Sequence, residues 1–340
     1  MDSIQRAALI QEFVGRADTL ERRIPKTPNG VRNQVGQTPG FPRLLRTGRT
    51  ESWSLPMIIV HDPACTGYGS SMRPEQPERI LRTVPLLRER HPEWAWETPL
   101  SASREQLLRA HDAAFIDRLS EPGDFDGDTP WFEGIAEHAA VAAGAAIAAM
   151  RHALAGKPAF SLIRPPGHHA TRGRAMGFCY VNNVAVAALE AHAAEVGRIA
   201  VWDIDGHHGN GTEDILRGRE GFLYVSVHQY PGYPGTGTAS AGNVSNFPVP
   251  PRIPRAELMD VFRRSWDVVV GFHPELVLVS AGFDAYARDP LLHMTLEEPD
   301  FATLGRKVRE SGLPSAGLLE GGYSRELPSL VDAFLNAWSH

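Results

Sequence analysis

The sequence predicts an α/β fold: a single domain with a central, mostly parallel β-sheet flanked by helices, preceded by an N-terminal helical arm. Three observations predict it. Short apolar runs recur at residues 55–60, 159–163, 199–202, 222–227, 276–280 and 315–319. Each closes in or near Gly, Pro, His or Asp, residues that turn strands into loops. Several runs are separated by helical stretches, and parallel strands need such crossovers because no tight turn can join them. The 340 residues, 42% hydrophobic and 22% charged, have an ordinary globular composition.

Residues 1–55 read as a helix followed by an extended arm. Asp2 and Ser3 suit a helix cap, and Ile4, Ala7, Ala8, Ile10, Val14 and Ala17 keep a three-to-four spacing. The helical signal fades at Pro25 and Pro28, and residues 30–40 read as extended. A lone amphipathic helix cannot bury its face, so residues 1–50 are expected to pack on the body or on a sister subunit, making a homo-oligomer the expected state. Residues 56–340 are expected to form one catalytic domain, without an internal linker or fixed-period repeat. Its opening strand ends at His61-Asp62-Pro63. Residues 76–87 and 104–119 read as helices. The acidic, glycine-bearing stretch 121–131 reads as a surface loop able to overhang a cleft. Residues 133–155 read as a long Ala-rich helix in which Gly144 allows close packing. Residues 198–216 run from an apolar strand through a polar, glycine-bent loop to Thr212-Glu213-Asp214, a helix-start pattern.

Composition excludes several functions. No apolar stretch is long enough to cross a bilayer and the first residues lack a signal-peptide core, so no membrane role is expected. The acids Glu12, Asp18 and Glu21 argue against a mitochondrial transit peptide. Two cysteines, Cys65 and Cys179, cannot make a disulfide framework and suit a reducing cytoplasm. The formal net charge of -6 gives no basic signal for nucleic acid. That charge is uneven: residues 1–50 hold nine Arg or Lys against four Asp or Glu, leaving the body acidic.

The chemistry concentrates where predicted strands end. Asp205 and His207 are two residues apart, so in an extended segment both point the same way and could share a Zn²⁺-like ion. Asp284, after the strand at 276–280, would make a third ligand and leave one coordination position open, the pattern of a catalytic metal. His168 and His169 follow a rigid Pro165-Pro166 exit; one imidazole can take a proton while the other supports developing charge. Tyr323, after Gly321-Gly322, can swing over a cleft and donate to an oxyanion. Each residue also has an ordinary reading: loop formers for Asp205 and His207, an N-cap for Asp284, a packed surface ring for Tyr323. Their combination at successive strand ends is what favours metal-assisted amide hydrolysis.

The motifs R-P-P-G-H-H-A, G-F-C-Y-V-N-N, D-I-D-G-H-H-G-N-G-T, A-G-F-D and E-G-G-Y, in this order, resemble the histone deacetylase and acetylpolyamine amidohydrolase family, on the arginase/deacetylase fold. The resemblance covers most of residues 57–340. It implies that Asp205, His207 and Asp284 bind one catalytic Zn²⁺. His169 would be the general base and acid, His168 its electrostatic partner, and Tyr323 the oxyanion donor. Asp203 would orient His168, and Asn210 would contact His169. Asn210 stands where class I members carry Asp, which points to the class II side. Similar members hold a structural K⁺ with Asp203, Asp205, His207 and Ser226. Phe178 and Tyr233 match aromatic walls that grip an acyl-lysine stem, and the Gly177 carbonyl could accept from the substrate amide. Leu291 follows Asp289-Pro290 where polyamine-specific relatives place Glu, although the acidic loop 124–128 could still attract a cation.

The implied function is a zinc-dependent deacetylase acting on acetylated or acylated amines such as acetyl-lysine in a peptide or protein, in the cytoplasm. An acetylpolyamine or small-molecule deacetylase is the alternative with the same chemistry. A two-manganese ureohydrolase would need bridging ligands that the D-I-D-G-H-H element does not supply. A non-catalytic acyl-lysine binding module would not need His168, His169 and Tyr323.

Overall fold

Apolar runs that are buried on both sides pair into the sheet. The computed structural model describes residues 56–340, in which the strands are β1 (Ile58–Val60), β2 (Ala95–Glu97), β3 (Ala159–Ser161), β4 (Ile199–Asp203), β5 (Phe222–Gln229), β6 (Val244–Val249), β7 (Leu276–Ala281) and β8 (Ser315–Leu319). They form one sheet in the order β2-β1-β3-β8-β7-β4-β5-β6, with every neighbouring pair parallel. Strands β3, β4, β7 and β8 are buried along their whole length. Hence they read as continuous apolar runs, as parallel strands covered on both faces do.

Helices supply that cover. The described α-helices are α1 (Glu78–Arg90), α2 (Arg104–Ala110), α3 (Ala113–Arg118), α4 (Ile135–Leu154), α5 (Asn183–Ala193), α6 (Asn210–Leu216), α7 (Arg255–Gly271), α8 (Glu298–Ser311) and α9 (Leu327–Ser339). Helix α4 packs on β1, β3, β8 and α5, while α5 reaches β4 and β7. Helix α7 packs on β4, β5 and β6, and the series continues through α8 and α9 to α1. The Trp202 indole of β4 packs against Trp266 of α7, tilted by 54°, and donates to Ser265 Oγ at 3.0 Å, which satisfies its buried N–H. Cys65 and Cys179 are free and buried. No helix among the described residues is long and apolar enough to cross a membrane.

Three expectations need correcting. The helix expected over 104–119 is two helices, because the backbone is extended at His111 and Asp112. Tertiary bonds hold it there: His111 Nδ1 donates to Thr171 O at 2.9 Å, and Nε2 accepts from Asn182 N–H at 2.9 Å. Burial pushes this imidazole down to about 4, keeping it neutral for both bonds. The strands β2 and β6 were not anticipated. They are the sheet edges, β2 being only three residues, two of them exposed, and β6 carrying Asn246 and Pro248; edges tolerate such residues and so lose the apolar signature. The α6 helix starts at Asn210, before the Thr212 start pattern. The N-terminal helix and extended arm expected over 1–55 lie outside the described residues.

Gly144 does allow close packing. A Cβ there would lie 1.9 Å from the Leu100 carbonyl oxygen and 2.9 Å from Ala102 N. Ala at a helical glycine ordinarily gains up to ~1 kcal/mol, but here it would meet backbone that cannot rotate away. Gly144→Ala should therefore lower stability by about 1–3 kcal/mol, read as an earlier urea midpoint. An unchanged midpoint would contradict the close approach.

Because all strands run one way, their carboxyl ends share one edge of the sheet, where open parallel sheets assemble binding sites.

Candidate active site

Strand β4 delivers Asp203, and the chain then turns through Asp205 and His207 into α6. The Asp205 carboxylate accepts from the His207 backbone N–H at 2.8 Å, a local turn that holds both side chains together. Strand β7, beside β4, ends at Ala281 and β8, beyond it, at Leu319, so Asp284 and Gly321 arrive from the next two strands of the sheet. Two glycines make this approach possible. A Cβ on Gly282 would sit 2.1 Å from Asp205 Oδ2, and one on Gly321 would sit 2.4 Å from Asp284 Oδ2.

Donor atoms of Asp205, His207 and Asp284 lie within 4.8 Å of one another, and all three residues are buried. His207 Nδ1 is 2.8 Å from Asp284 Oδ2 and 3.1 Å from Asp205 Oδ1. The other carboxylate oxygens are oriented by backbone amides: Gly321 N–H donates to Asp205 at 2.8 Å, and Gly206 N–H to Asp284 at 2.6 Å. Burial alone would push the His207 imidazole down, but Asp284 and Asp205 outweigh it and carry it up to about 10. Two buried carboxylates thus draw positive charge to one point, and an O,O,N donor set suits a divalent cation there.

The histidine pair lies beside this group, with ring centroids 4.0 Å apart. His168 Nδ1 donates to Asp203 Oδ2 at 3.1 Å, and Tyr224 O–H donates to the same oxygen at 2.9 Å. Burial opposes charge on His168, yet Asp205 and Asp203 outweigh it and raise its pKa well above the usual range. His169 goes the opposite way: burial and then the charges of His168 and His207 hold it well below. Its Nδ1 donates to Asn210 Oδ1 at 2.9 Å, which leaves the Nε2 lone pair free. The two neighbouring imidazoles are thus biased in opposite directions, a separation that suits a division into acid and base.

A cleft of roughly 240 Å³ opens over His169 and His207. Its walls include Phe178, Tyr233, Leu291 and Tyr323, with Gly177 beneath. The Phe178 and Tyr323 rings meet edge-on at 5.6 Å, and Tyr233 meets His169 at 5.0 Å. Phe178 adopts φ 68°, unusual for a side-chain-bearing residue, and Thr129 Oγ1 accepts from its N–H at 3.1 Å. All four residues expected to touch substrate therefore line one cleft, and His169, His207 and Tyr323 face it too. Asp203, Asp205, Asp284 and Asn210 lie behind that surface as partners of the histidines. Ser226 is the β5 register partner of Asp203, but its hydroxyl bonds His228 Nδ1 at 2.9 Å.

Several contributors were missed from sequence. Glu320 is buried beneath the site and accepts from Gly167 N–H at 2.7 Å and His168 N–H at 3.1 Å, tying the β3 loop to the β8 loop. Burial raises its carboxyl to about 7. An acid placed directly between a buried strand and a double glycine was the available signal. Asp289 accepts from Leu291 N–H at 3.0 Å and Tyr323 N–H at 2.7 Å, linking two walls of the cleft. Arg73 and Asp128 form its rim; Asp128 belongs to the acidic stretch expected to overhang it.

Residues 73–338 match the histone deacetylase domain. The chain belongs to the histone deacetylase family. It is thereby a member of a family of hydrolytic deacetylases. Similar relatives include a histone deacetylase-like amidohydrolase of Pseudomonas aeruginosa, 37% identical over 78% of this chain and 75% of the relative. A probable deacetylase of Methanothermobacter thermautotrophicus is 34% identical over 79% of this chain and 86% of the relative. Among solved structures, an acetylpolyamine aminohydrolase from Burkholderia pseudomallei superposes with a TM-score of 0.77 at 26% identity, covering 83% of this chain and 98% of that one. The parallel sheet and flanking helices expected from the sequence are those of this histone deacetylase family.

Proposed function

We propose that this protein is a zinc-dependent deacetylase that hydrolyses the amide of an acetylated amine on a linear aliphatic stem, acetyl-lysine being the representative substrate. One observation carries the reading: His169, His207 and Tyr323 face a single cleft with aromatic walls, and Asp205, Asp284 and His168 stand directly behind them. Asp205, His207 and Asp284 would hold Zn²⁺, which when bound supplies Lewis acidity to the acyl carbonyl. Phe178 and Tyr233 would flank the methylenes, Leu291 would close one side, and the Gly177 carbonyl would accept from the substrate amide N–H. His169, neutral at Nε2, takes the proton of the attacking water and returns it to the departing amine. His168, kept charged by Asp203 and Asp205, stabilises negative charge beside it. Tyr323 O–H donates to the oxyanion as it develops, and acetate leaves as co-product.

An acetylpolyamine amidohydrolase is the second reading, favoured by Asp128 at the cleft mouth and opposed by Leu291 and by the neighbouring Arg73. Chelator-treated protein, restored with Zn²⁺, should be assayed on acetyl-lysine peptide, acetylputrescine and acetylspermidine. The reading expects turnover to vanish on chelation, return with Zn²⁺, and be highest on the peptide. Preference for the polyamines would transfer the assignment to the second reading, and no turnover on any of them would sink both. The same proposal includes a structural K⁺ near Asp203, Asp205, His207 and Ser226, a catalytic domain over residues 56–340, a cytoplasmic location, and self-association through residues 1–50. Sedimentation of the full chain at one protomer mass would remove the last of these.

A further inference from the structure

On a surface that the cleft does not use, His91, Glu93 and His340 bring three metal-type donor atoms within 4.8 Å of one another. We propose that they form a second metal site, a Zn²⁺-type clip joining the end of α9 to the turn that follows α1.

The distances favour a metal over hydrogen bonds. Glu93 Oε1 is 3.6 Å from His91 Nδ1 and 3.7 Å from His340 Nε2. Hydrogen bonds of this kind run at about 2.7–3.2 Å. The corners of a tetrahedron built on bonds of about 2.0–2.2 Å lie roughly 3.3–3.6 Å apart. Both Glu93 separations lie at or just above that edge length and all three donor atoms stay within 4.8 Å, so a small closure brings them around a common ion.

The His91 ring is also prepared for coordination. Its Nε2 donates to Asp332 Oδ1 at 2.6 Å, which places the proton on that nitrogen and leaves the Nδ1 lone pair facing Glu93. A carboxylate behind the far nitrogen is the usual outer partner of a metal-binding histidine, raising its basicity and fixing its orientation. Arg90 holds the other Asp332 oxygen at 2.6 Å, and Trp94 stacks on the His91 ring at 3.8 Å between centroids, 6° from parallel. The His91 carbonyl accepts from Trp94 N–H at 3.1 Å, closing the turn that presents Glu93. Helices α1 and α9 already pack together, so little ordering is left for the ion to impose. His91 is buried while Glu93 and His340 are exposed, so three protein ligands leave the fourth position to solvent. Two nitrogens and one oxygen suit Zn²⁺.

The test is a Zn²⁺ titration of the metal-stripped full chain, read by elemental analysis after desalting and by thermal unfolding. Wild type should retain one more equivalent of Zn²⁺ than His340→Ala or Glu93→Gln, both exposed positions outside the cleft. Zn²⁺ should raise the wild-type Tm by about 2–4 °C more than that of either variant, while all three proteins deacetylate at equal rates. Equal stoichiometry and equal Tm shifts across the three would overturn the clip. Asp284→Ala separates this outcome from failure of the catalytic assignment: it should lose a different equivalent and retain the one that His340→Ala loses.

Discussion

Tyr323→Phe is expected to lower kcat on acetyl-lysine peptide by ~10²–10³, the usual loss when one oxyanion donor is removed, while metal content stays at the wild-type value. The phenol belongs to the cleft that also exposes His169 and His207. Burial holds its pKa well above the ordinary tyrosine range, so it remains a donor at any working pH. Everything else about residue 323 survives the substitution. Its backbone N–H still donates to Asp289, its ring still meets Phe178, and the Arg79 guanidinium still lies 5.0 Å from the ring centroid. The change therefore removes one O–H and little packing. Steady-state kinetics with elemental analysis decides it: a wild-type rate would take Tyr323 out of the chemistry, and lost metal would mean that the variant tests folding instead.

His169→Ala should cost ~10²–10⁴ in kcat, the range for a positioned general base, again without loss of the triad's metal because His169 is not one of its three donors. The pH profile gives this assignment a second readout. A base works deprotonated, so the rate is present above the His169 pKa and is lost as pH falls through it. Burial, reinforced by His168 and His207, depresses that pKa well below 6.5, so the acid limb of kcat/KM should lie below pH 6.5. Asn210→Asp places an anion where Oδ1 now accepts from His169 Nδ1 at 2.9 Å. An anion there favours the imidazolium and raises its pKa, so the acid limb should move to higher pH. An acid limb at the same pH in both proteins would mean that Asn210 does not tune His169.

Much of this site was legible in the sequence because its signals are local. Asp205 and His207 are expected together as alternate residues of an extended segment; they do meet, but through a turn that follows β4, which ends at Asp203. Apolar runs ending in His, Asp or Gly marked the β3, β4, β7 and β8 exits because those strands are buried on both faces. Where burial is partial the signal fails, as at β2 and β6. Where a distant partner competes with helix propensity, as Thr171 and Asn182 do at His111, propensity loses.

By itself, then, the sequence determined the α/β class, the strand exits that carry the candidate site and, through its motifs, the family. The tertiary structure decided which exits meet. Seating β7 between β4 and β8 puts Asp284 beside His207, 77 residues away, and Gly321 against Asp205, 116 residues away. It also recruits Glu320 and Asp289, whose parts depend on backbone amides from other segments. The reason is physical: a side chain's direction follows from the period of its own segment, whereas strand order and register are selected by packing the whole core.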